Sequence, residues 1–406
     1  MQFKDIIGQI DVKHQLIQMI QQNRLSHALL FLGKEGSGAL SLARAFTQYL
    51  VCEKINGKSL NTGSDSGLFA DDSNEAKENN ADKNDSCGVC SACIKSAKMI
   101  HPDIHYSYPV ISRKSGDKPI STDFINEWRT FIDSNPYGNS YDWLQSIGAE
   151  NKQGNITVHE CGDINRKLSL KSFESTYKFL IMWMPELLGL QGNRLLKLIE
   201  EPPPNTVFIF VAENDQQILQ TILSRTQLIK IPLLKRIDIE AALELREGIA
   251  VQKADQIARV SEGNYHEALQ QLQHADNDWE ILLREWLNSI LKTGPVAQVK
   301  WIEDISKIGR EKQKQFFKYF IHLLEDAIKL NMITSEDQES ATISTSNDFA
   351  IRLNKLCNIN QQEAIIKELD AASYHIERNA NAKLLFHALT IKLYHIISNN
   401  AVILVN

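Results

Sequence analysis

Cys87, Cys90 and Cys93 crowd into the run Cys87-Gly88-Val89-Cys90-Ser91-Ala92-Cys93, with Cys52 upstream. Thiolates are soft ligands, and four of them suit a tetrahedral, closed, structural Zn²⁺ site. A catalytic zinc usually keeps an open position with His or carboxylate ligands. His101 and His105 are near in sequence, but four cysteines already close the shell. The competing account is a run of buried free cysteines, and their crowding just after a polar segment speaks against it. Cys161 and Cys357 stand alone and read as ordinary packed thiols.

The second group is the turn Gly33-Lys34-Glu35-Gly36-Ser37-Gly38-Ala39-Leu40. Gly33 and Gly38 have the spacing of a phosphate-binding P-loop. The glycines would let backbone N–H groups turn toward phosphate oxygens at a helix N-terminus. The chemistry departs from the spacing. The lysine position holds Ala39 and the hydroxyl position Leu40, so neither the phosphate charge nor Mg²⁺ has its usual partner. Lys34 lies on the loop itself and is no assured substitute. On the motif alone, an ordinary glycine turn and a degenerate P-loop both stay open.

These residues need elements to hold them. His27 to Leu32 is an apolar run fit for a buried strand. After the turn, Leu42, Ala43, Phe46, Tyr49 and Leu50 share one side of a helix that runs to Cys52. Further buried strands are expected at Tyr177–Met182, Thr206–Ala212 and Gln227–Ile231. Asp103–Ile111 alternates like a strand. Helices are expected over Val12–Ile20, Gly162–Leu170 and Leu187–Glu200, the last stopped by Pro202-Pro203-Pro204. Alternation of strands and helices predicts a mainly parallel α/β sheet.

Two insertions interrupt this pattern. Residues 53–86 are rich in Asn, Asp, Ser, Gly, Lys and Glu and are expected to be mostly disordered. Residues 112–155 carry Trp128, Phe131, Tyr137 and Trp143, expected as one or two helices whose aromatic stripe is core. From Arg236 on, strand signals vanish. Ile237–Leu272 reads as a small helical unit. Trp279–Ile333 and Gln361–Ser398 read as long amphipathic stretches, separated by a polar linker, Thr334–Asp348.

The bulk numbers set limits. A chain of 406 residues should hold two or three domains, and 43% hydrophobic residues is ample for cores. The net charge of −6 gives no global basic field for nucleic acid. No long apolar segment looks transmembrane, and Met1-Gln2-Phe3-Lys4-Asp5 lacks a signal-peptide pattern, so a cytoplasmic location is expected.

Several motifs then converge. Gly8-Gln9, Arg24-Leu25-Ser26-His27-Ala28, the P-loop remnant, the cysteine knuckle and His101-Pro102-Asp103 come first. Leu195-Leu196-Lys197-Leu198-Ile199-Glu200-Glu201-Pro202-Pro203 and Thr221-Ile222-Leu223-Ser224-Arg225 follow. With these the chain resembles the delta prime subunits of the bacterial DNA polymerase III clamp loader, in the AAA+ superfamily. The resemblance is strong over Met1 to Leu234 and weakest at the C-terminal end, where Asn379-Ala380-Asn381 is the one suggestive match.

The resemblance implies a RecA-like AAA+ core over 1–234, with a zinc module at 52–93. It implies a helical lid over 235–276 and an all-helical collar over 277–406. Active subunits of the family place an Asp-Glu pair where this chain has Trp183 and Met184, and a lid arginine where it has His266. With lysine, hydroxyl, acid pair and lid arginine all missing, the chain is expected not to hydrolyse ATP, although it would belong to a polymerase complex. The family's Ser-Arg pair is present as Ser224-Arg225, which implies an arginine finger acting in a neighbour's ATP site. Thr226 replaces the family's usual Cys and leaves the guanidinium in place. Implied partners are the delta and gamma/tau subunits and, through the complex, the sliding clamp and primer-template DNA, with no membrane. The alternatives are an ATP-hydrolysing motor subunit of gamma/tau type and a stand-alone zinc module binding nucleic acid. Against the last, Asp82, Asp85 and Ser86 make the knuckle's surroundings poor in cations.

Overall fold

In a computed structural model the described residues are 1–56, 84–114, 116–149, 154–273, 279–332, 345–377 and 380–399. They form two compact units, Met1–Gln273 and His274–Asn406.

The first unit is built on five parallel strands: β1 (Ala28–Gly33), β2 (Ile104–Ser107), β3 (Lys178–Trp183), β4 (Thr206–Ala212) and β5 (Gln227–Ile231). Their order across the sheet is β2-β3-β4-β1-β5. Ala28 pairs with Phe208 and Leu29 with Gln227, so β1 is paired on both edges. β3 and β4 are buried along their whole length, as near-continuous apolar runs with both faces covered should be. Leu29 and Phe31 join the core on one face, and Ala28 and Leu30 the core on the other, the period of two expected of a strand.

Helices α1 (Ile10–Gln21), α2 (Ala39–Val51), α3 (Ser91–Ala97), α4 (Ile125–Ser134), α5 (Ser140–Ser146) and α6 (Val158–Ser169) pack around it, followed by the short α7 (Leu196–Glu200) and α8 (Gln220–Leu223). The expected amphipathic α2 is enclosed on all sides, with every one of its 13 residues buried. Its polar side is covered as well as its apolar one. The Ser41 hydroxyl donates to the Pro136 carbonyl. Gln48 accepts from the Met1 amino group and donates to Ser86. The buried Arg44 guanidinium lies against Tyr106 and Asp133, and burial lowers its pKa.

Some spans differ from expectation. β2 stops at Ser107, because Pro109 has no N–H for a ladder, and Val110 pairs only with Asn155 in an isolated antiparallel bridge. The helix expected over Leu187–Glu200 survives only as α7. Before it the chain runs in tight turns from Pro185 and bends at Gly189, whose φ of 51° and ψ of −143° are not helical. The second insertion is α4 and α5, as expected, with Tyr108, Trp128 and Trp143 fully buried. Tyr108 and Trp128 stack at 4.0 Å, and Trp143 meets Trp128 edge-on at 5.1 Å.

The small helical unit is three helices, α9 (Arg236–Glu247), α10 (Val251–Val260) and α11 (Tyr265–Gln273). Its core is Ile239, Leu243, Ala254, Tyr265 and Ala268, joined by Ile7 and Tyr137.

The second unit is helical throughout its described residues: α12 (Trp279–Asn288), α13 (Pro295–Ile305), α14 (Arg310–Met332), α15 (Thr345–Leu356), α16 (Ile359–Glu377) and α17 (Ala382–Asn399). Trp286 and Trp301 stack in its core, 4.8 Å apart and 2° from parallel. α15 begins inside the stretch expected as linker; 333–344 lie outside the described residues, as do Asn379 and positions 57–83 of the first insertion. Asn381 caps α17 through a bond from the Leu384 N–H.

Both ends of the first insertion are fastened. The Asn56 side chain donates to the carbonyls of Leu50 and Cys52. The Asp85 carboxylate accepts from the N–H groups of Phe3, Lys4 and Ser86 at 2.7–3.0 Å. Replacing 57–83 by a short Gly/Ser linker should therefore leave thermal stability unchanged or slightly raised, since a shorter loop costs less to close. Asp85→Ala should cost about 1–2 kcal/mol in denaturant unfolding, because it strips partners from backbone donors. A deletion that unfolds the unit would show that 57–83 carry structure of their own.

Candidate functional site

Cys52 ends α2, Cys87 precedes a tight turn at Gly88, and Cys90 and Cys93 stand at the start of α3. The chain thus brings the predicted thiols together, with all four sulfur atoms within 4.8 Å of one another. Cys87 and Cys93 Sγ lie 3.9 Å apart. Four sulfurs at 2.3 Å from one tetrahedral ion would be about 3.8 Å apart, so the cluster has zinc's size. Backbone N–H groups point at the sulfurs: Cys87 at Cys52, Cys90 at Cys87 and Cys93 at Cys90, at 3.3–3.5 Å. Such donors stabilise thiolate charge. Cys52 is held down to about 4, chiefly by its hydrogen bond with the Cys93 thiol, and that same bond pushes Cys93 up. Burial pushes Cys90 up. Cys161 and Cys357 are buried and are not among the clustered thiols, and burial raises both.

The turn Gly33–Leu40 lies at the carboxyl edge of the sheet, where open α/β sheets bind ligands. Gly36 and Gly38 take φ of 71° and 83°, and Gly38 stands directly before α2. Ala39 and Leu40 open the helix and line a cavity with Gly33, Trp183 and Glu213. Trp183 ends β3 and packs into the insertion's aromatic cluster, 5.3 Å from Trp128 and 6.2 Å from Phe131. An apolar ring thus fills the end of β3 beside the glycine turn. Met184 follows, also buried. His266 of α11 faces Asp142 at 3.3 Å and Glu35 at 3.8 Å. Burial raises the pKa of Asp142, and His266 counters it.

Arg225 stands apart from both groups, one turn beyond α8. Its guanidinium pairs with Glu200 and donates to the Thr221 carbonyl at 2.7 Å and to Ser224 Oγ at 3.2 Å. Its side chain is 35% exposed.

Three positions that sequence reasoning quoted as motif have roles it did not see. Asp103 accepts from the N–H groups of Phe173, Glu174 and Ser175 at 2.6–2.7 Å, fastening the loop before β3. Gln9 donates to the carbonyls of Ser37 and Pro232, tying the glycine turn to the segment after β5. Glu200 is the partner of Arg225. Glu186 was not singled out at all; it accepts from the N–H groups of Glu213 and Asn214, and burial raises its pKa.

The sequence model of the family described as DNA polymerase III, delta subunit, matches residues 8–73 and 61–235, more than half of the chain. DNA polymerase III subunit tau of Bacillus subtilis is 25% identical over 322 residues, 76% of this chain and 44% of that protein. The delta' subunits of Haemophilus influenzae and B. subtilis are 23% and 24% identical over 216 and 213 residues. Those matches cover 53% and 52% of this chain and 46% and 44% of the relatives. The chain thus spans under half the length of these relatives. No helix among the described residues is long and apolar enough to cross a membrane.

The purified chain should carry one zinc, and Cys90→Ser should lose it. Melting temperature should fall in step, because the site fastens α3 to the end of α2. Metal analysis by mass spectrometry checks the first point and thermal unfolding the second. Zinc content unchanged in Cys90→Ser would refute the ligand set.

Proposed function

The chain belongs to the DNA polymerase III delta subunit family, a clamp-loader family, and from that premise we propose that it is a non-hydrolysing subunit of delta prime type. One observation carries this reading. The four positions that would handle nucleotide hold Ala39, Leu40, the Trp183-Met184 pair and His266, while the Ser224-Arg225 pair is kept at an exposed turn. The chain would join the delta and gamma/tau subunits in a cytoplasmic loader, with 235–276 as lid and 277–406 as collar. It would help place the sliding clamp on primer-template DNA, without binding a membrane. Zinc held by Cys52, Cys87, Cys90 and Cys93 would be structural, since four thiolates leave no open position.

Arg225 would act in trans. A guanidinium aimed into a neighbour's site stabilises charge on the transferring phosphoryl group. The second reading, a motor subunit of gamma/tau type, is favoured by the match to tau over 322 residues. It requires Mg²⁺ and phosphate chemistry that an alanine, a leucine and a tryptophan do not supply.

The isolated chain should show no ATPase above a heat-treated control. Arg225→Ala should fold and assemble normally, and the assembled complex should lose part of its ATPase. The neighbouring site loses a cation worth about 10³–10⁵ in rate where fingers act, while other sites keep their own. Arg225→Lys should restore little, because a point charge does not reproduce the planar fork. Unchanged ATPase and clamp loading in an assembled Arg225→Ala complex would remove the finger role. Turnover by the isolated chain would favour the motor reading instead.

A further inference from the structure

The second insertion does more than pack on the core. We propose that Tyr137 is an intramolecular ligand of the chain's own nucleotide site, a plug that occupies the cavity and holds the α9–α11 unit against the glycine turn without nucleotide. The inference rests on reading Gly33–Leu40 as a nucleotide site by descent.

Space is the first argument. The cavity bounded by Gly33, Gly38, Leu40, Tyr137, Trp183 and Glu213 measures ≈ 30 Å³. That is room for a water or two, against about 300–1,000 Å³ for ligand pockets. The Tyr137 ring occupies part of the space beside the turn. A Cβ placed on Gly38 would meet the Tyr137 ring at 2.7 Å, so the ring lies directly on the backbone at the start of α2. Phosphate oxygens would need that same backbone.

Bonding is the second. The Tyr137 hydroxyl accepts from the Ile7 N–H at 2.8 Å, beside Gly8-Gln9. The ring packs edge-on against Tyr265 of α11, with centroids 5.0 Å apart. Ser41 of α2 fastens the preceding residue through the Pro136 carbonyl. The α9–α11 unit then closes over the turn. The Tyr265 N–H donates to the Gly36 carbonyl at 3.3 Å, and Asn264 Oδ1 sits where a side chain on Gly36 would be. His266 bridges Asp142 of the insertion and Glu35 of the turn. One tyrosine therefore joins the N-terminal segment, the glycine turn and the helical unit, three walls that a diffusible ligand would otherwise have to join.

Charge is the third. The lining residues include Glu35 and Glu213, and their one cation, Lys34, is exposed. Triphosphate would be resisted by the wall as well as by the plug.

The test restores the missing chemistry with and without the plug, reading binding of a fluorescent ADP analogue with Mg²⁺. Ala39→Lys with Leu40→Thr should bind no better than the native chain while Tyr137 is in place. Adding Tyr137→Ala to that pair should tighten binding at least about tenfold, since a site that is open only part of the time has its apparent affinity cut by that fraction. Equal binding with and without Tyr137 overturns the plug, and so does failure of the triple variant to bind while it remains folded. Should the triple variant not fold, hydrogen exchange on the native chain decides. The Ile7 and Tyr265 amides should be protected without nucleotide and unaffected by millimolar Mg-ADP. Fast exchange, or slowing by nucleotide, overturns the proposal. None of these outcomes touches Arg225, so the plug can fall while the finger reading stands.

Discussion

Closure of the sheet's carboxyl edge by aromatic side chains is the interaction on which the first unit depends. Parallel strands end there with their last backbone groups and their most open packing, and something must cover them. Here Trp183 at the end of β3 joins Trp128, Phe131 and Trp143 in one buried cluster. Each aromatic pair adds about 0.5–1.5 kcal/mol beyond the area it buries. The same insertion supplies Tyr137 to the core of the three-helix unit. Apolar stabilisation thus stands at the carboxyl edge beside the glycine turn, where the proposed loss of hydrolysis requires that charge and metal be absent.

Burial of α2 follows from the same arrangement. A helix with Ser41, Arg44 and Gln48 on one face would ordinarily turn that face to water. Instead Ser41 donates to the insertion's Pro136 carbonyl, Gln48 is held between Met1 and Ser86, and Arg44 lies against Tyr106 and Asp133. The cysteine cluster at the helix's far end sits between it and α3. A 13-residue helix buried on all sides depends on such partners, since an unpaired buried polar group costs about 1–3 kcal/mol, and Arg44 Nε is left without one.

The elements that sequence reveals are those with a strong local period. β3, β4 and β5 fall within a residue or two of expectation, because uninterrupted apolar runs admit few alternatives. The cysteine cluster was legible from spacing alone, and the aromatic stripe of the insertion was legible as core. The polar covering of α2 was not, since its partners lie 38 to 95 residues away in the chain. The irregular path through Gly189 escaped notice because a leucine-rich stretch carries a helical period whatever its backbone does. Tyr137 read simply as core, and only contacts to Ile7, Gly38 and Tyr265 give it a place in the cavity beside the glycine turn.

The two arginines of interest differ in the way their proposed roles require. Arg44 is buried among fixed partners, and leaving it unpaired would be costly, so it is committed to the fold. Arg225 is paired with Glu200 at 35% and 44% side-chain exposure. An ion pair that open to solvent is worth about 0–1 kcal/mol, less than a bidentate contact with phosphate in a closed site. Glu200 can therefore hold the guanidinium in place without trapping it, and a phosphate presented by another subunit would win the exchange. Arg225 stays near the surface, on the turn between α8 and β5, as the proposed role in a neighbour's site requires.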